Sequence, residues 1–207
     1  MNITVCIDAY VKGVRTGSPV FTEDIYAYVA RHIPGARRDV VNTYIARYAA
    51  KADLVRYRKG IYYKAAVTPF GATGISYAEL LKRRYLTDGD KVFGYETGPS
   101  YMNKIGLTTQ MSGSTFIATD KAGGGTEPGV VLVRPVLPVD NDNYRYLQFL
   151  DMLDNRMKVR IEAADRKKIL RGYIDAHGLD FEKLMYYARY YKNSRIYGRI
   201  AELAREA

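Results

Sequence analysis

The sequence predicts an α+β protein in which a small helical module closed by a β-hairpin precedes a mixed α/β domain with a helical C-terminal portion. Three observations predict this class: helical apolar spacing through most of residues 1–50, a short β-prone hairpin at residues 54–64, and helical spacing again from Asn143 onward. Residues 65–76 turn to Thr, Pro, Gly and Ala, a composition typical of a linker. The predicted domains are therefore 1–68 and 69–207.

The charge is high and unevenly distributed. The 207 residues carry a net charge of +10. Lys and Arg outnumber Asp and Glu by 11 to 5 in residues 1–70 and by 14 to 9 in residues 144–207, whereas residues 71–143 carry 7 and 8. A basic protein gains affinity for a polyanion because counterions are released when it neutralises phosphates. Two basic regions around a neutral middle predict a polyanionic partner and at least two functional regions.

The composition also excludes several classes of protein. No stretch approaches the roughly 18 uninterrupted apolar residues that a membrane-spanning helix requires, so no membrane partner is expected. The first residues lack the basic start and cleavage site of a secretory signal, which makes the cytoplasm the expected location. Cys6 is the only cysteine, which rules out an internal disulfide and a multi-thiolate metal site and favours a buried thiol.

Two helices are predicted before residue 35. The first spans Ile3–Val14, and its apolar face is expected to consist of Val5, Cys6, Ala9 and Val11. The second is expected to have Thr22 as its N-cap, with Phe21 packing on Tyr26 as a hydrophobic staple. Pro34-Gly35 ends this helix and leaves the short turn that a helix-turn-helix needs before its next helix.

The third predicted helix, about Arg38–Ala50, divides into two faces. Val41, Ile45 and Tyr48 fall together at roughly 100° per residue and should face the core. The opposite face is polar and low in relief, with Asp39, Thr43, Ala46 and Ala50, flanked by Asn42 and Arg47, and with Arg37 and Arg38 at its N-terminal end. In the major groove of DNA, Arg pairs with guanine, Asn with adenine, and Thr contacts the thymine methyl. This face predicts a recognition helix, and an ordinary solvated face is the alternative.

A basic hairpin follows directly. Leu54–Arg58 and Ile61–Lys64 are short β-prone runs joined by Lys59-Gly60, with glycine where a positive φ is easiest. Such a hairpin can lay Arg56, Arg58 and Lys59 along a phosphate backbone, and a plain surface hairpin is the alternative. Three helices followed by a basic hairpin form the element order of a winged helix-turn-helix. The module therefore predicts binding to double-stranded DNA, through these three residues and Arg37, Arg38, Asn42, Thr43 and Arg47.

The middle of the chain is predicted to hold an α/β layer. Its expected elements are a helix at Tyr77–Tyr85, a turn at Asp88-Gly89, an apolar piece at Lys91–Tyr95, a break at Thr97-Gly98-Pro99, a helix at Ser100–Ile105, and strands at Ser114–Ala118 and Gly129–Val136. Gly123-Gly124-Gly125 separates the two strands and predicts a flexible loop.

Helical patterning fills the rest of the chain. Asp165, Asp180 and Ser194 are expected to open three helices, and Gly178 to end the first of them. Eight basic residues of these helices can form a second phosphate-binding patch, with a solvated face as the alternative: Arg166, Lys167, Lys168, Arg171, Arg189, Lys192, Arg195 and Arg199. The tyrosines of Tyr186-Tyr187 and Tyr190-Tyr191 are predicted to fill the core, and stacking on unpaired bases is the alternative.

One stretch of the middle region carries a signature. Gly94-Tyr95-Glu96-Thr97-Gly98-Pro99-Ser100-Tyr101-Met102-Asn103-Lys104-Ile105-Gly106-Leu107-Thr108-Thr109-Gln110 resembles the "gly-tyr, small residues, helix, gly-leu-thr-x-gln" signature of the AbiEi-like antitoxins of abortive-infection systems. The hairpin, with Lys59-Gly60-Ile61-Tyr62-Tyr63, is also similar to that family's layout. The resemblance covers about residues 20–135.

The resemblance implies a transcriptional repressor that is also the antitoxin of a type IV toxin–antitoxin operon. In such proteins the N-terminal module binds operator inverted repeats, and the C-terminal region counters a nucleotidyltransferase-like toxin without forming a stable complex with it. The match at Gly94, Gly98, Gly106, Leu107 and Gln110 gives these residues no chemical role, and a structural role in the second domain is favoured for each. The antitoxin function is therefore implied by analogy rather than by a site.

No set of residues predicts an enzyme, a metal site or a cofactor site. His32 and His177 are the only histidines, and neither has a carboxylate or cysteine at a recognised spacing. Gly123-Gly124-Gly125 lacks the Lys-Ser/Thr of a phosphate loop. Asp140 and Asp142 are predicted to form a polar turn rather than a magnesium site. The alternative functions are a protein-interaction module with an acidic partner and an RNA-binding protein.

Overall fold

The computed structural model describes residues 2–51, 54–69, 71–121 and 125–205. The chain contains both helices and strands, which confirms the α+β class. It divides into two compact units, Met1–Leu80 (unit 1) and Leu81–Ala207 (unit 2), and the predicted boundary at residues 68/69 lies within unit 1. None of the helices in these ranges combines the length and apolar character needed to cross a membrane. The predicted glycine loop falls largely on residues 122–124, outside the described residues.

Helix α1 of unit 1 spans Ile3–Lys12. Its buried residues are Cys6, Ile7 and Val11. Val5 is 50% exposed and Ala9 is also exposed, so the predicted core face was wrong at both positions. The reason is that Ile7 shares a helical stripe with Cys6 and Val11 and offers more apolar surface to bury than Ala9 does.

Strand β1 (Pro19–Phe21) leads directly into helix α2 (Thr22–His32). Phe21 pairs with Ile61, and the Thr22 amide donates a hydrogen bond to the Gly60 carbonyl oxygen at 3.0 Å. The N-cap position is therefore taken by Phe21, which has no polar side chain to cap the helix. The prediction of Thr22 as N-cap was wrong, because strand pairing holds Phe21 extended and the helix begins one residue earlier.

Helix α3 (Arg38–Ala49) and strands β2 (Leu54–Arg58) and β3 (Ile61–Lys64) follow. Strands β2 and β3 pair antiparallel across Lys59-Gly60, with Gly60 at φ +80°, which confirms the predicted hairpin. β1 pairs with the other edge of β3, so the sheet order is β1-β3-β2. This third strand was not predicted, because three residues are too few to show an alternating pattern.

The core of unit 1 joins all three helices to the sheet. It consists of Cys6, Ile7, Val11, Val20, Ile25, Val29, Val41, Ile45, Leu54 and Tyr62. Val41 and Ile45 of α3 are fully buried, as predicted. Tyr48, the third residue predicted for that face, is half-buried and donates its hydroxyl to Asp8 Oδ1 at 3.0 Å. This packing fixes which face of α3 is turned away from the core.

Short strands and helical segments occupy the chain between the β2–β3 hairpin and the sheet of unit 2. Strands β4 (Val67–Thr68) and β5 (Gly71–Ala72) pair with each other, and helix α4 spans Tyr77–Leu81. A π-helical segment, Lys82–Leu86, continues from α4 where a single helix at Tyr77–Tyr85 was predicted. A π-helix uses i→i+5 hydrogen bonds, and apolar spacing over so few residues does not distinguish it from an α-helix. Strands β6 (Thr87–Asp88) and β7 (Lys91–Val92) then pair around the predicted turn.

The sheet of unit 2 has three strands in the order β10-β9-β8, namely β8 (Gly94–Thr97), β9 (Thr115–Thr119) and β10 (Val130–Val133). β8 and β9 are antiparallel, whereas β9 and β10 are parallel. The predicted strands at Ser114–Ala118 and Gly129–Val136 are confirmed, but the second ends earlier than predicted. Pro135 explains the earlier end, because proline has no amide hydrogen to donate to a neighbouring strand.

Helix α5 spans Gly98–Lys104, although a break was predicted at Thr97-Gly98-Pro99. The helix starts there because Pro99 lies in its first turn, where no amide hydrogen is needed. The C-terminal helices are α6 (Tyr144–Asp154), α7 (Arg166–His177), α8 (Phe181–Ala188) and α9 (Arg195–Arg205). Asp180 caps α8 by accepting the Lys183 amide at 2.8 Å, as predicted, and Gly178 ends α7 at φ +58°.

A single carboxylate connects distant parts of unit 2. Asp151 on α6 accepts hydrogen bonds at Oδ2 from the Tyr95 and Thr97 hydroxyls, both at 3.0 Å, and at Oδ1 from the Tyr191 hydroxyl at 2.8 Å. The three donors are all buried. Removal from water raises the pKa of Asp151 above its ordinary value, although the three hydroxyls and Arg156 oppose this rise.

The signature stretch has identifiable structural roles. A Cβ on Gly94 would lie 2.8 Å from the Ala118 carbonyl oxygen and 2.9 Å from Thr119 Cβ, and closer still to the Tyr85 carbonyl oxygen. Gly106 follows α5 at φ +81°, and Leu107 is buried in the core of unit 2. Together with Tyr95 and Thr97 at Asp151, these positions hold β8 and α5 in the core.

Candidate nucleic-acid interface

Helix α3 presents one continuous exposed face. Because Val41 and Ile45 are fully buried, the residues on the far side of the helix are turned to solvent. The structure places all the predicted base-reading positions there as exposed residues: Asp39, Asn42, Thr43, Ala46, Arg47 and Ala50. Two of these are alanines, so the helix backbone can be approached closely along this face.

The two arginines at the start of α3 are held by carboxylates. Arg37 donates from Nε to Asp39 Oδ1 at 3.2 Å and from Nη2 to Asp39 Oδ2 at 2.6 Å. Arg38 donates from Nη2 to Glu23 Oε1 of α2 at 3.2 Å, and its guanidinium lies 5.8 Å from the centre of the Tyr26 ring. All four charged side chains are more than half exposed, so solvent screens both ion pairs. Replacing either carboxylate partner by a DNA phosphate therefore costs little free energy.

The Arg37–Asp39 contact also shifts the pKa of both side chains. The hydrogen bond from Arg37 lowers the pKa of Asp39 below its ordinary value, and the same contact raises the pKa of Arg37. Both groups therefore stay charged at neutral pH. The face accordingly carries one fixed negative charge beside its arginines.

The polar side chains in the middle of the α3 face differ in whether they already make a contact within the protein. The Arg47 guanidinium lies 5.9 Å from the centre of the Tyr44 ring, one helical turn earlier. The Thr43 hydroxyl donates to the Asp39 carbonyl oxygen at 3.0 Å. Within the described part of the chain, the Asn42 side chain and the Arg47 guanidinium have no hydrogen-bond or ion-pair partner, so both are available to a ligand.

The β2–β3 hairpin carries the other predicted basic residues. Arg56 and Lys59 are exposed, and neither has an acidic partner among residues 2–51, 54–69 and 71–80. Arg58 differs, because it is half-buried and already takes part in an interaction. The strand pairing shifts by one residue between Arg56 and Arg58, so a β-bulge separates them and they are not equivalent positions on a regular strand. Strand β2 also contacts α3, which ties the hairpin to the helix.

Sequence reasoning missed the partners of these arginines. Tyr44 stands three residues before Arg47, and this spacing is a local signal that was available. Asp39 follows Arg37 by two residues, a spacing at which helical side chains do not face each other, and the two meet because Arg37 is extended at the N-cap position. Glu23 carried no such signal for Arg38, because 15 residues separate them and only the packing of α2 against α3 brings them together.

A scan against models of protein families gives no match to the chain, and a search of curated proteins gives none. The similarity to AbiEi-like antitoxins stays a prediction from the signature stretch.

The other titratable groups singled out in the sequence have structural partners. Asp140 Oδ1 accepts the amides of Asp142 at 2.9 Å and Asn143 at 2.8 Å, which makes it a turn cap. His32 Nδ1 lies 2.9 Å from the Tyr28 carbonyl oxygen. His177 packs against Tyr173, and burial lowers the pKa of its imidazole. Among the described residues, no three His, Cys, Asp or Glu side chains are grouped to hold a metal ion.

The basic residues of the C-terminal helices fall into two groups. Arg171 donates to Asp175 Oδ1 and to the Leu203 carbonyl oxygen, both at 3.1 Å. Arg199 donates to the Leu153 carbonyl oxygen. These two arginines stabilise contacts between helices. Exposed positions remain on α7 and around α8 and α9: Arg166, Lys167, Lys168, Arg189, Lys192 and Arg195.

Proposed function

We propose that unit 1 is a winged helix-turn-helix that binds double-stranded DNA with sequence specificity. Helix α3 enters the major groove, and the β2–β3 hairpin is the wing. The observation that carries the proposal is the exposed α3 face, where the side chains of Asn42 and Arg47 make no hydrogen bond or ion pair with the described residues and small side chains permit close approach. The order of three helices and a basic hairpin supports it.

Each side chain has a distinct role in this proposal. Arg47 pairs with guanine and Asn42 with adenine, whereas Thr43, whose hydroxyl is bound to the helix backbone, contacts a thymine through its methyl group. Arg37 and Arg38 exchange their carboxylate partners for phosphates at the edge of the groove. Arg56 and Lys59 contact phosphates from the wing, and Arg58, half-buried, supports the hairpin.

We further propose that the protein is a repressor-antitoxin that binds operator inverted repeats before its own operon and counters a nucleotidyltransferase-like toxin. The support is the similarity of residues 94–110 to the AbiEi-like signature. Operator binding is tested by a gel shift of the purified chain on its own upstream region, with scrambled duplex of equal length as competitor. A selective shift is expected, and equal competition by the scrambled duplex would refute it.

The antitoxin activity has a separate test. The chain is co-expressed with the product of the neighbouring gene, and growth is measured. A variant with Asn42→Ala and Arg56→Ala should still restore growth, because the resemblance assigns antitoxin activity to the C-terminal region. Growth arrest with the unaltered chain would contradict the antitoxin proposal and leave operator binding standing.

Base-reading and phosphate-binding residues should give different losses. Asn42→Ala should cost about 1–3 kcal/mol on the operator and little on scrambled DNA, because it removes contacts to base edges. Arg56→Ala should weaken binding to both duplexes and reduce the slope of log K against log salt by about one. Fluorescence anisotropy over a salt series measures both quantities. Lys12→Ala, which removes an exposed cation from α1, is the matched control. Indistinguishable effects of Asn42→Ala and Arg56→Ala would contradict the groove assignment.

Asp39→Asn should strengthen binding to all duplexes by roughly two- to threefold, because it removes a negative charge from the face and releases Arg37 from its surface ion pair. The operator's preference over scrambled DNA should fall. The matched control is Asp175→Asn, which removes the exposed carboxylate of the Arg171–Asp175 pair on α7. An equal gain from Asp175→Asn would mean that net charge alone, and not release of Arg37, sets the affinity.

A further inference from the structure

The outer side of α8 and the turn after it form an exposed aromatic surface, the tyrosine face, consisting of Glu182, Lys183, Met185, Tyr186, Arg189 and Tyr190. At roughly 100° per residue these six fall on one half of the helix, opposite the buried Leu184 and Ala188. Met185, Tyr186 and Tyr190 are 41%, 46% and 42% exposed. The prediction that the tyrosines fill the core holds for Tyr191 and for Tyr187, which is half-buried against the core, and was wrong for Tyr186 and Tyr190.

The side chains of Tyr186, Arg189 and Tyr190 contact one another on this face. The Tyr186 and Tyr190 rings have centroids 6.1 Å apart and meet edge to face. The Arg189 guanidinium lies over the Tyr186 ring, 4.2 Å from its centroid. A guanidinium stacked on a ring is a flat, charged platform on which a nucleobase can stack. The face thus offers a planar cation beside exposed aromatic rings.

The charge around the tyrosine face is net positive. Residues 180–199 contain five Lys and Arg against two Asp and Glu, and one of the five, Arg199, donates to the Leu153 carbonyl oxygen. Lys192 and Arg195 are exposed, and neither has an ion-pair partner within the described residues. An open groove of about 1050 Å³ runs beside the face. Its lining includes the rings of Phe181, Tyr186 and Tyr197 and two residues of each charge, Lys183 and Arg189 with Asp180 and Glu182. A flexible polyanion with aromatic groups complements this surface in both charge and chemistry.

We propose that the tyrosine face binds single-stranded RNA. Unpaired bases stack on the Arg189–Tyr186 platform and on Tyr190, and phosphates lie against Lys183, Lys192 and Arg195. A duplex is excluded because its bases are already stacked. An apolar peptide is a poorer fit, because two of the three large apolar residues exposed here are tyrosines with polar hydroxyls.

RNA is favoured over single-stranded DNA by the acceptors beside the rings. The Glu182 carboxylate lines the same groove as Tyr186 and Arg189 and can accept a hydrogen bond from a ribose 2′-hydroxyl. DNA has no 2′-hydroxyl, so no such hydrogen bond would offset the repulsion between the Glu182 carboxylate and the phosphates. The inference does not depend on the proposed DNA binding, which lies in unit 1.

The test uses the full chain and a fluorescein-labelled RNA of about 12 nucleotides without self-complementarity. Anisotropy should show saturable binding, and Tyr186→Leu and Tyr190→Leu should each weaken it by roughly tenfold. Tyr186→Phe should retain most of the affinity, because stacking needs the ring and not the hydroxyl. Tyr77→Leu, the same change at an exposed tyrosine of unit 1, should have no effect. Asn42→Ala with Arg56→Ala should also leave RNA binding unchanged.

Three outcomes would overturn the proposal. The first is equal affinity of Tyr186→Leu, Tyr190→Leu and the unaltered chain, which would exclude stacking on this face. The second is displacement of the RNA by poly-glutamate at equal charge, which would show attraction without recognition. The third is equal or tighter binding of a DNA strand of the same sequence, which would assign the surface to a different polymer.

Discussion

Gly94→Ala is expected to unfold unit 2 or destabilise it by about 3 kcal/mol or more. The new Cβ would meet two backbone carbonyl oxygens, of Tyr85 and Ala118, as well as Thr119 Cβ. Backbone atoms of the π-helical segment and of β9 cannot rotate away as the end of a flexible side chain can. The clash therefore has to separate β8 from both neighbours. Urea unfolding followed by circular dichroism measures the loss, and hydrogen exchange assigns it to unit 2.

The matched control for this substitution is Gly172→Ala in α7. A Cβ at Gly172 meets no atom within 4 Å, and the residue lies within α7 at an exposed position. The same change should therefore stabilise unit 2 by about 0.5–1 kcal/mol, because alanine loses less backbone entropy than glycine. Unaltered stability of Gly94→Ala would show that β8 does not pack as described.

Asp151→Leu should cost about 3 kcal/mol, because it leaves the buried hydroxyls of Tyr95 and Thr97 without their acceptor. Leucine also fills the space that a water would need to replace the carboxylate. Asp151→Asn keeps the shape and one carbonyl oxygen and should cost clearly less. Thermal unfolding of the full chain compares the two variants. Equal stability of Asp151→Leu and the unaltered chain would show that the Asp151 carboxylate does not accept the hydrogen bonds described for the core of unit 2.

The same residue gives a signed pH dependence. The pKa of Asp151 is raised in the folded chain, so the folded state holds its proton more tightly than the unfolded state does. Its contribution is therefore fully present below the ordinary pKa and is lost as pH rises through the raised value. Relative to Asp151→Asn, the unaltered chain should lose stability from about pH 4 upward. A difference that is flat or grows with pH would contradict the raised pKa.

The hairpin, the exposed face of α3 and the cap of α8 were predicted correctly because each depends on residues that lie close together in the sequence. The hairpin was predicted to the residue because Lys59-Gly60 sits between two β-prone runs, and Gly60 indeed adopts φ +80°. The exposed face of α3 was predicted because Val41 and Ile45 share one side of the helix. Caps such as Asp180 are equally local.

What sequence reasoning missed depends on contacts between distant residues. Strand β1 exists because Val20 lies opposite Tyr62, a pairing that no three-residue pattern displays. The partner of Arg38 was missed for the same reason. Asp151 lies within an apolar helix, and nothing near it in the sequence indicates Tyr95 or Tyr191. Sequence reasoning therefore located the candidate interface and missed the centre of unit 2.

The Asp151 network has a consequence for how the chain is made. Tyr95 and Tyr191 meet at one carboxylate, and the core around them extends to Leu203. A ribosome synthesises the chain from its N-terminus, so this core cannot close until the chain has been synthesised as far as Leu203. The core of unit 1 is complete by Tyr62 and can form during translation. Nascent chains that stall or are cleaved before Tyr191 would thus carry a folded first unit and an open second one.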